Sequence, residues 1–133
     1  MSDILLRISP AVSNEQLNAL FAAAWEQHQA RDFQPVLRHS LLYVCAYQGE
    51  TLVGFVNVAW DGGIHAFLLD TTVHNLYQRS GIGIQLVRAA LNEAQGRGME
   101  WMHVDFEPHL RTFYQRCGFQ PTDAGLINLH NNK

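Results

Sequence analysis

The sequence predicts a mixed α/β fold, an α+β sheet that is mostly antiparallel, splayed at a central parallel βαβ unit and flanked by helices on both faces. Three observations lead there. Apolar runs of strand length recur at 4–8, 41–47, 52–60 and 66–69, the last continuing through the β-branched Thr71, Thr72 and Val73. Ile82, Leu86, Val87, Ala90, Leu91 and Ala94 then recur at helical spacing and leave Gln85, Arg88, Asn92, Glu93 and Gln95 for the wet face. A further apolar run at 99–106 follows that helix, and two strands joined through a helix lie parallel in one sheet.

Taken in order, 4–8 is a short strand stopped by Ser9-Pro10. Ser13-Asn14-Glu15-Gln16 matches the capping box, in which the Ser and Gln side chains each accept from the other residue's backbone N–H. Leu17, Leu20, Phe21, Ala24, Trp25 and His28 follow on one stripe, predicting a helix of about four turns whose Phe21 and Trp25 pack into the core. Residues 31–40 mix charge, aromatic groups and proline without a period and read as a loop or a broken short helix. Gln48-Gly49-Glu50-Thr51 joins the next two strands as a hairpin, and Gly54 inside a strand points to a bulge or to close approach by another group. Asp61-Gly62-Gly63 turns the chain into the strand that ends at Val73, which completes an antiparallel meander. Gly96 and Gly98 end the central helix. Pro108 opens another helix, with Leu110, Phe113, Tyr114 and Cys117 on one face, and Gly118 stops it. Residues 119–122 and 126–130 are expected to form two short final strands about Asp123-Ala124-Gly125.

A chain of 133 residues is sized for one domain, expected to run over 1–133, and buries roughly two thirds of its unfolded surface. The hydrophobic fraction of 47% and charged fraction of 16% describe a lightly charged globular protein, not a disordered one. A net charge of −3 offers no general attraction to nucleic acid or to an anionic membrane, so neither is expected as a partner. Cys45 and Cys117 sit in apolar contexts and read as buried free thiols. Met1-Ser2-Asp3 leads straight into a strand pattern with no secretory leader and no apolar run of about 18 residues, which fits a cytoplasmic enzyme.

The turn between Val73 and the central helix carries the chemistry. The first backbone N–H groups of a helix lack internal partners and attract an anion. Glycines at 81 and 83 remove β-carbons that would hold a phosphate away, and Arg79 adds a cation, so the turn reads as a diphosphate cradle. The dinucleotide fingerprint requires a third glycine where Leu86 stands, and the P-loop lysine is absent. No histidine spacing fits a metal site, and no metal is expected.

Gln78-Arg79-Ser80-Gly81-Ile82-Gly83 resembles the pyrophosphate loop of the GNAT superfamily of acetyl-CoA-dependent N-acetyltransferases, whose signature is Gln or Arg, two variable residues, Gly, one variable residue, then Gly or Ala. Phe113-Tyr114-Gln115-Arg116-Cys117-Gly118-Phe119 is similar to the family's later Phe-Tyr-x-x-x-Gly-Phe signature. The two motifs stand in the family's order, and the resemblance covers the chain from about residue 4 to residue 130. It implies a GNAT-like acyl-CoA N-acyltransferase fold with acetyl-CoA as cosubstrate. It further implies that Thr71, Thr72 and Val73 pair with pantetheine, that Gln78, Arg79, Ser80, Gly81, Ile82, Gly83 and Ile84 form the cradle, and that Tyr114 protonates the leaving thiolate. In that family the first helix and the loop after it border the acceptor. A Thr at 71 where an aliphatic residue is usual, and Asn75 where proline is frequent, depart from the pattern.

The implied reaction is acetyl transfer to a primary amine of a small molecule or peptide by direct attack. An alkyl ammonium with a pKa near 10 must first lose a proton. Candidates for the base are Asp70, His65, His103, Asp105 and Glu107, or water, since no Glu stands inside 67–69. A backbone N–H near Val73 is the expected donor to the thioester carbonyl. The competing reading is a non-catalytic acyl-CoA-binding sensor or regulatory module. A homodimer is common in the resembled family, and a strand edge near the C-terminus is the expected surface for one.

Overall fold

The computed structural model describes residues 3–130. Met1, Ser2 and the last three residues lie outside the described residues, and with them the lead-in to the first strand and the outer limits of a 1–133 domain. Five strands form one sheet in the order β1-β2-β3-β4-β5, made of β1 (Ile4–Ile8), β2 (Leu42–Gln48), β3 (Thr51–Trp60), β4 (His65–Val73) and β5 (Trp101–His103). The first four pair antiparallel, and β4 pairs parallel with β5, as the helical crossover requires. Both faces are covered. The helix α3 (Ile82–Gly96) packs Ile82, Leu86, Val87, Ala90 and Ala94 against Val44, Val56, Val58, Ala66 and Leu68. On the opposite face α1 (Asn14–Ala24) sets Leu17, Leu20 and Phe21 against Phe33, Cys45 and Phe55.

The capping box forms as the sequence predicts, with the Gln16 N–H donating to Ser13 Oγ at 3.1 Å and the Ser13 N–H donating to Gln16 Oε1 at 3.0 Å. The helix stops sooner than its stripe implies. Trp25 adopts an extended φ of −127° and ψ of 119°, so the helix ends at 11 residues. Phe21 is buried, as expected, whereas Trp25 is 53% exposed. The segment 31–40 resolves into the short helix α2 (Gln34–His39), opened by Pro35.

Gly54 is a site of close approach. A β-carbon there would stand 2.9 Å from Leu86 Cδ1, 3.1 Å from Ile82 Cγ2 and 3.2 Å from Ala46 Cβ. The glycine lets α3 lie directly on β3. Gly54→Ala is therefore expected to destabilise the fold by about 1–3 kcal/mol through overpacking, read as a lowered midpoint in urea at unchanged slope. An unchanged midpoint would show that α3 shifts without cost.

Three expectations near the end of the chain are corrected. The fifth strand is three residues long rather than spanning 99–106, and its ladder ends at the Phe67–His103 pair. One extra residue on β4 between the Asn57–Leu69 and Phe55–Thr72 pairs makes a bulge, with Asp70 at a φ of 58°. The bulge raises the local twist and turns β4 away from its neighbour. The helix opened by Pro108 begins as a 3₁₀ turn at Pro108–Leu110 before α4 (Arg111–Arg116), with Gly118 at a φ of 105° after it. The two final strands at 119–122 and 126–130 do not form. Leu126, Ile127 and Leu129 are 88%, 62% and 80% exposed, so the segment has no buried face to fix a register. The strand edge expected there for a homodimer is absent, and the sheet edge on that side belongs to β5.

Cys45 and Cys117 are free and buried. Burial pushes the Cys45 thiol up to about 12 and raises Cys117 as well, so both remain protonated, apolar side chains. Among the described residues no helix is long and apolar enough to cross a membrane.

Candidate active site

The bulge and the early end of β5 open the sheet. Among the described residues, β4 has no strand partner on its β5 side beyond Phe67, and a cavity of about 540 Å³ lies between the end of β4, the start of α3 and α4. That volume falls in the usual range of small-molecule sites, roughly 300–1,000 Å³. Its wall contains Thr71, Val73, Gln78, Arg79, Gly81, Gly83, Ile84 and Tyr114 from the sequence-predicted set.

Each position has a local cause. Gly81 caps α3 at a φ of 87°, a left-handed conformation that glycine adopts without a β-carbon clash, and no side chain caps the helix there. The first N–H groups of α3 are left open toward the cavity. Gly83 has a second reason to be glycine, because a β-carbon would stand 3.2 Å from Phe113 Cε1 on α4. Gln78 Nε2 donates to the Val73 carbonyl at 3.1 Å, and the Ser80 hydroxyl donates to the Tyr77 carbonyl, so both side chains brace the turn. Arg79 and Arg116 supply cationic groups at the same wall.

Three predicted residues lie outside that wall. The Ile82 side chain is buried under α3, beside Gly54. The Thr72 hydroxyl, buried on the α1 side, donates to the Asp70 carbonyl at 2.9 Å and accepts from Trp25 Nε1 at 3.4 Å. Ser80 is occupied with Tyr77, as above.

Tyr114 is 6% exposed yet reaches the cavity. Its ring stacks on Phe106 at 4.9 Å and meets Phe113 and Phe119 edge-on at 4.9 and 5.8 Å. Its hydroxyl donates to Thr71 Oγ1 at 3.3 Å. Burial raises its pKa above the usual phenol value, the Thr71 contact opposes that, and electrostatic interaction with Cys117 and Asp105 adds to the rise. The phenol is therefore a proton-bearing group across the neutral range, held against the unpaired part of β4.

None of the five candidate bases lines the cavity. His65 and His103 bond to each other at 2.8 Å across the β4–β5 ladder, His65 in its first pair and His103 in its last. The Asp70 carboxylate lies 4.0 Å from Arg31 Nη2. Asp105 and Glu107 are exposed on the chain between β5 and α4. Residues missed from the sequence include Trp25, His109 and Arg116. His109, Phe113 and Arg116 are spaced i, i+4 and i+7, a signal that marks a single helical face beside the one read from Leu110 and Tyr114. Among the described residues no cluster of three or more His, Cys, Asp or Glu is placed to hold a metal.

Known proteins are similar to this chain in sequence and in fold. The chain is 29% identical over 118 residues to an uncharacterised N-acetyltransferase, ycf52-like, of Prochlorococcus marinus, a match covering 86% of this chain and 64% of that protein. This chain thus spans less than two thirds of that relative. A solved GNAT family acetyltransferase from Streptococcus pneumoniae superimposes with a TM-score of 0.77 at 26% identity, over 96% of this chain and 99% of the other. The aminoglycoside N-acetyltransferase AAC(6')-Iy, solved in complex with CoA, shares the fold at a TM-score of 0.77 and 18% identity, over 96% of this chain and 95% of its own. The acetyltransferase (GNAT) family model matches residues 10–119, from the loop before α1 to the Phe119 that closes the second motif, and the chain belongs to that family.

Proposed function

We propose that this chain transfers an acetyl group from acetyl-CoA to a primary amine of a small molecule or peptide by direct attack, with Tyr114 as the acid for the departing thiol. The observation that carries the proposal is the meeting, in one cavity, of a proton-bearing phenol and an open helix N-terminus. The residues fit the cosubstrate. The uncapped N-terminus of α3, the left-handed Gly81 and the cations of Arg79 and Arg116 suit a diphosphate, and the unpaired stretch of β4 at Thr71, Thr72 and Val73 offers main-chain groups to an amide-bearing arm. Acetyl-CoA, when bound, supplies an activated acyl group on sulfur.

The chain's own residues then have three tasks. A backbone N–H of β4 near Val73 donates to the acyl oxygen, where negative charge develops. The Tyr114 hydroxyl gives its proton to the leaving sulfur, since thiol and phenol pKa values are close enough to share one. None of the five sequence-expected bases stands in the cavity wall, so water, or the wall's own His109, takes the proton of the acceptor ammonium. The absence of those five from the wall favours the second reading, a binding module without turnover.

One experiment separates the readings. Acetyl-CoA is titrated by calorimetry, and thiol release is followed with a panel of amines. Binding at a hundred times the dissociation constant raises stability by about 2.7 kcal/mol, which a thermal scan also registers. Binding with amine-dependent thiol release is the expected result. Binding without release from any amine supports the module, and a folded protein that ignores millimolar acetyl-CoA ends both readings.

A further inference from the structure

On the α2 side of the sheet lies a second cavity of about 360 Å³, walled by Pro35 and Val36 of α2, Ala59 of β3 and Leu69 of β4. The polar groups around it are already engaged with one another. The Ser40 hydroxyl donates to the Val36 carbonyl at 3.0 Å and also bonds to the Asn57 side chain, which is 2% exposed. His39 Nδ1 bonds to the Pro35 carbonyl at 2.8 Å. What faces the space is therefore almost wholly carbon. The apolar surface continues out of the cavity over Val36, Leu69 and Phe67, which are 43%, 38% and 36% exposed, as far as His103, whose ring stacks on Phe67 at 4.8 Å. Exposed hydrophobic groups gathered in this way mark a surface that something covers.

The cavity and the acyl-transfer site share no wall residue but draw on neighbouring positions of β4: Leu69 walls the first on the face of Asn57, and Thr71, past the Asp70 bulge, walls the second on the other face. Leu69 precedes Thr71 by two residues, a rise of roughly 7 Å before the bulge shortens it. Leu69 belongs to the length of β4 that, among the described residues, has no partner on the β5 side, so no paired strand separates the two faces of the sheet there. The nearest carboxylate along β4, Asp70, belongs to the bulge and not to the wall of this cavity, and lies 4.0 Å from Arg31 Nη2.

We infer that the acceptor is a monoamine whose nitrogen sits on a short alkyl arm of an apolar, branched or aromatic body, and that the body rests on Val36, Ala59 and Leu69. This deepens the acetyl-transfer reading and rests on it. A polycationic amine would meet carbon where it needs carboxylates, whereas each buried methylene of an apolar amine contributes about 0.8 kcal/mol, or roughly fourfold in kcat/KM.

The test uses the full chain with saturating acetyl-CoA and measures kcat/KM for ethylamine, butylamine, hexylamine, isopentylamine, 2-phenylethylamine, spermidine and an aminoglycoside. The expected result is a rise of roughly fourfold per added methylene until the cavity is filled, with the aromatic and branched amines far ahead of spermidine. Val36→Asp, on an exposed helical position that tolerates charge, is expected to lower kcat/KM for isopentylamine by tenfold or more and to leave acetyl-CoA affinity within about twofold. A flat dependence on chain length, a preference for the polyamines, or an indifferent Val36→Asp variant overturns this inference while leaving acetyl transfer intact. Absence of acetyl-CoA binding in calorimetry overturns both.

Discussion

Tyr114→Phe is expected to lower kcat by about two to four orders of magnitude while leaving the acetyl-CoA dissociation constant within about twofold. The phenyl ring keeps the stack on Phe106 and the edge contacts with Phe113 and Phe119, so the wall of the cavity retains its shape. Only the hydroxyl and its bond to Thr71 disappear, at a cost to stability of about 0.5–1.5 kcal/mol. The pH profile supplies a check that a merely structural role does not pass. Burial raises the phenol pKa, so the acid stays protonated below its ordinary value of 10.0 and loses its proton only above it. Wild-type activity is expected to climb with pH as the acceptor ammonium deprotonates and then to fall at strongly alkaline pH. In the variant the climb remains and the alkaline fall disappears. A variant with unchanged kcat removes Tyr114 from the chemistry.

Gly81→Glu is expected to weaken acetyl-CoA binding by about two orders of magnitude. Space is not the obstacle, because nothing lies within 4 Å of a β-carbon built at Gly81. The cost to folding is left-handed strain at a φ of 87°, of order 1–2 kcal/mol. The cost to binding is charge. A carboxylate at the mouth of α3, about 5 Å from a phosphate at an effective dielectric constant near 20, opposes it by roughly 3 kcal/mol. Gly49→Glu is the matched control, since Gly49 has a φ of 59°, equally open surroundings and no place in the cavity wall. Calorimetry on both variants distinguishes a damaged fold from a blocked cradle. Equal loss of affinity in the two would mean that strain, not charge, explains the effect, and the diphosphate assignment for this turn would fall.

Much of the molecule was legible because its signals are local. The capping box at Ser13 and Gln16, the strand from Ile4 to Ile8 and the stripe of α3 depend on residues close in sequence, and each occupies the expected place. The glycine turn was readable for a related reason. Gly81 serves one backbone conformation, and that demand is written into a single residue type. Gly83 was readable only in part, since its nearest neighbour is the Phe113 ring, some thirty positions away.

Elsewhere local pattern misled. The run at 99–106 has the composition of a long strand, but a strand lasts only as long as its neighbour runs beside it, and the bulge at Asp70 turns β4 away. Residues 126–130 alternate as a strand does, yet with no surface against which to bury Leu126, Ile127 and Leu129 they remain outside the sheet. Trp25 continues a helical stripe, but the helix ends before it, and the indole stands at the lip of the cavity bonded to Thr72.

By itself the sequence determined the order of the elements, the parallel crossover, the glycine turn that opens the central helix and the family to which the chain belongs, because periodicity, caps and positive-φ glycines are properties of short segments. Only the tertiary structure decided which side chains share the cavity, that none of the five expected bases lines it, and that a second, carbon-walled pocket forms under α2. Those outcomes depend on where β4 bulges and where β5 stops, and both are settled by packing between residues distant in the chain.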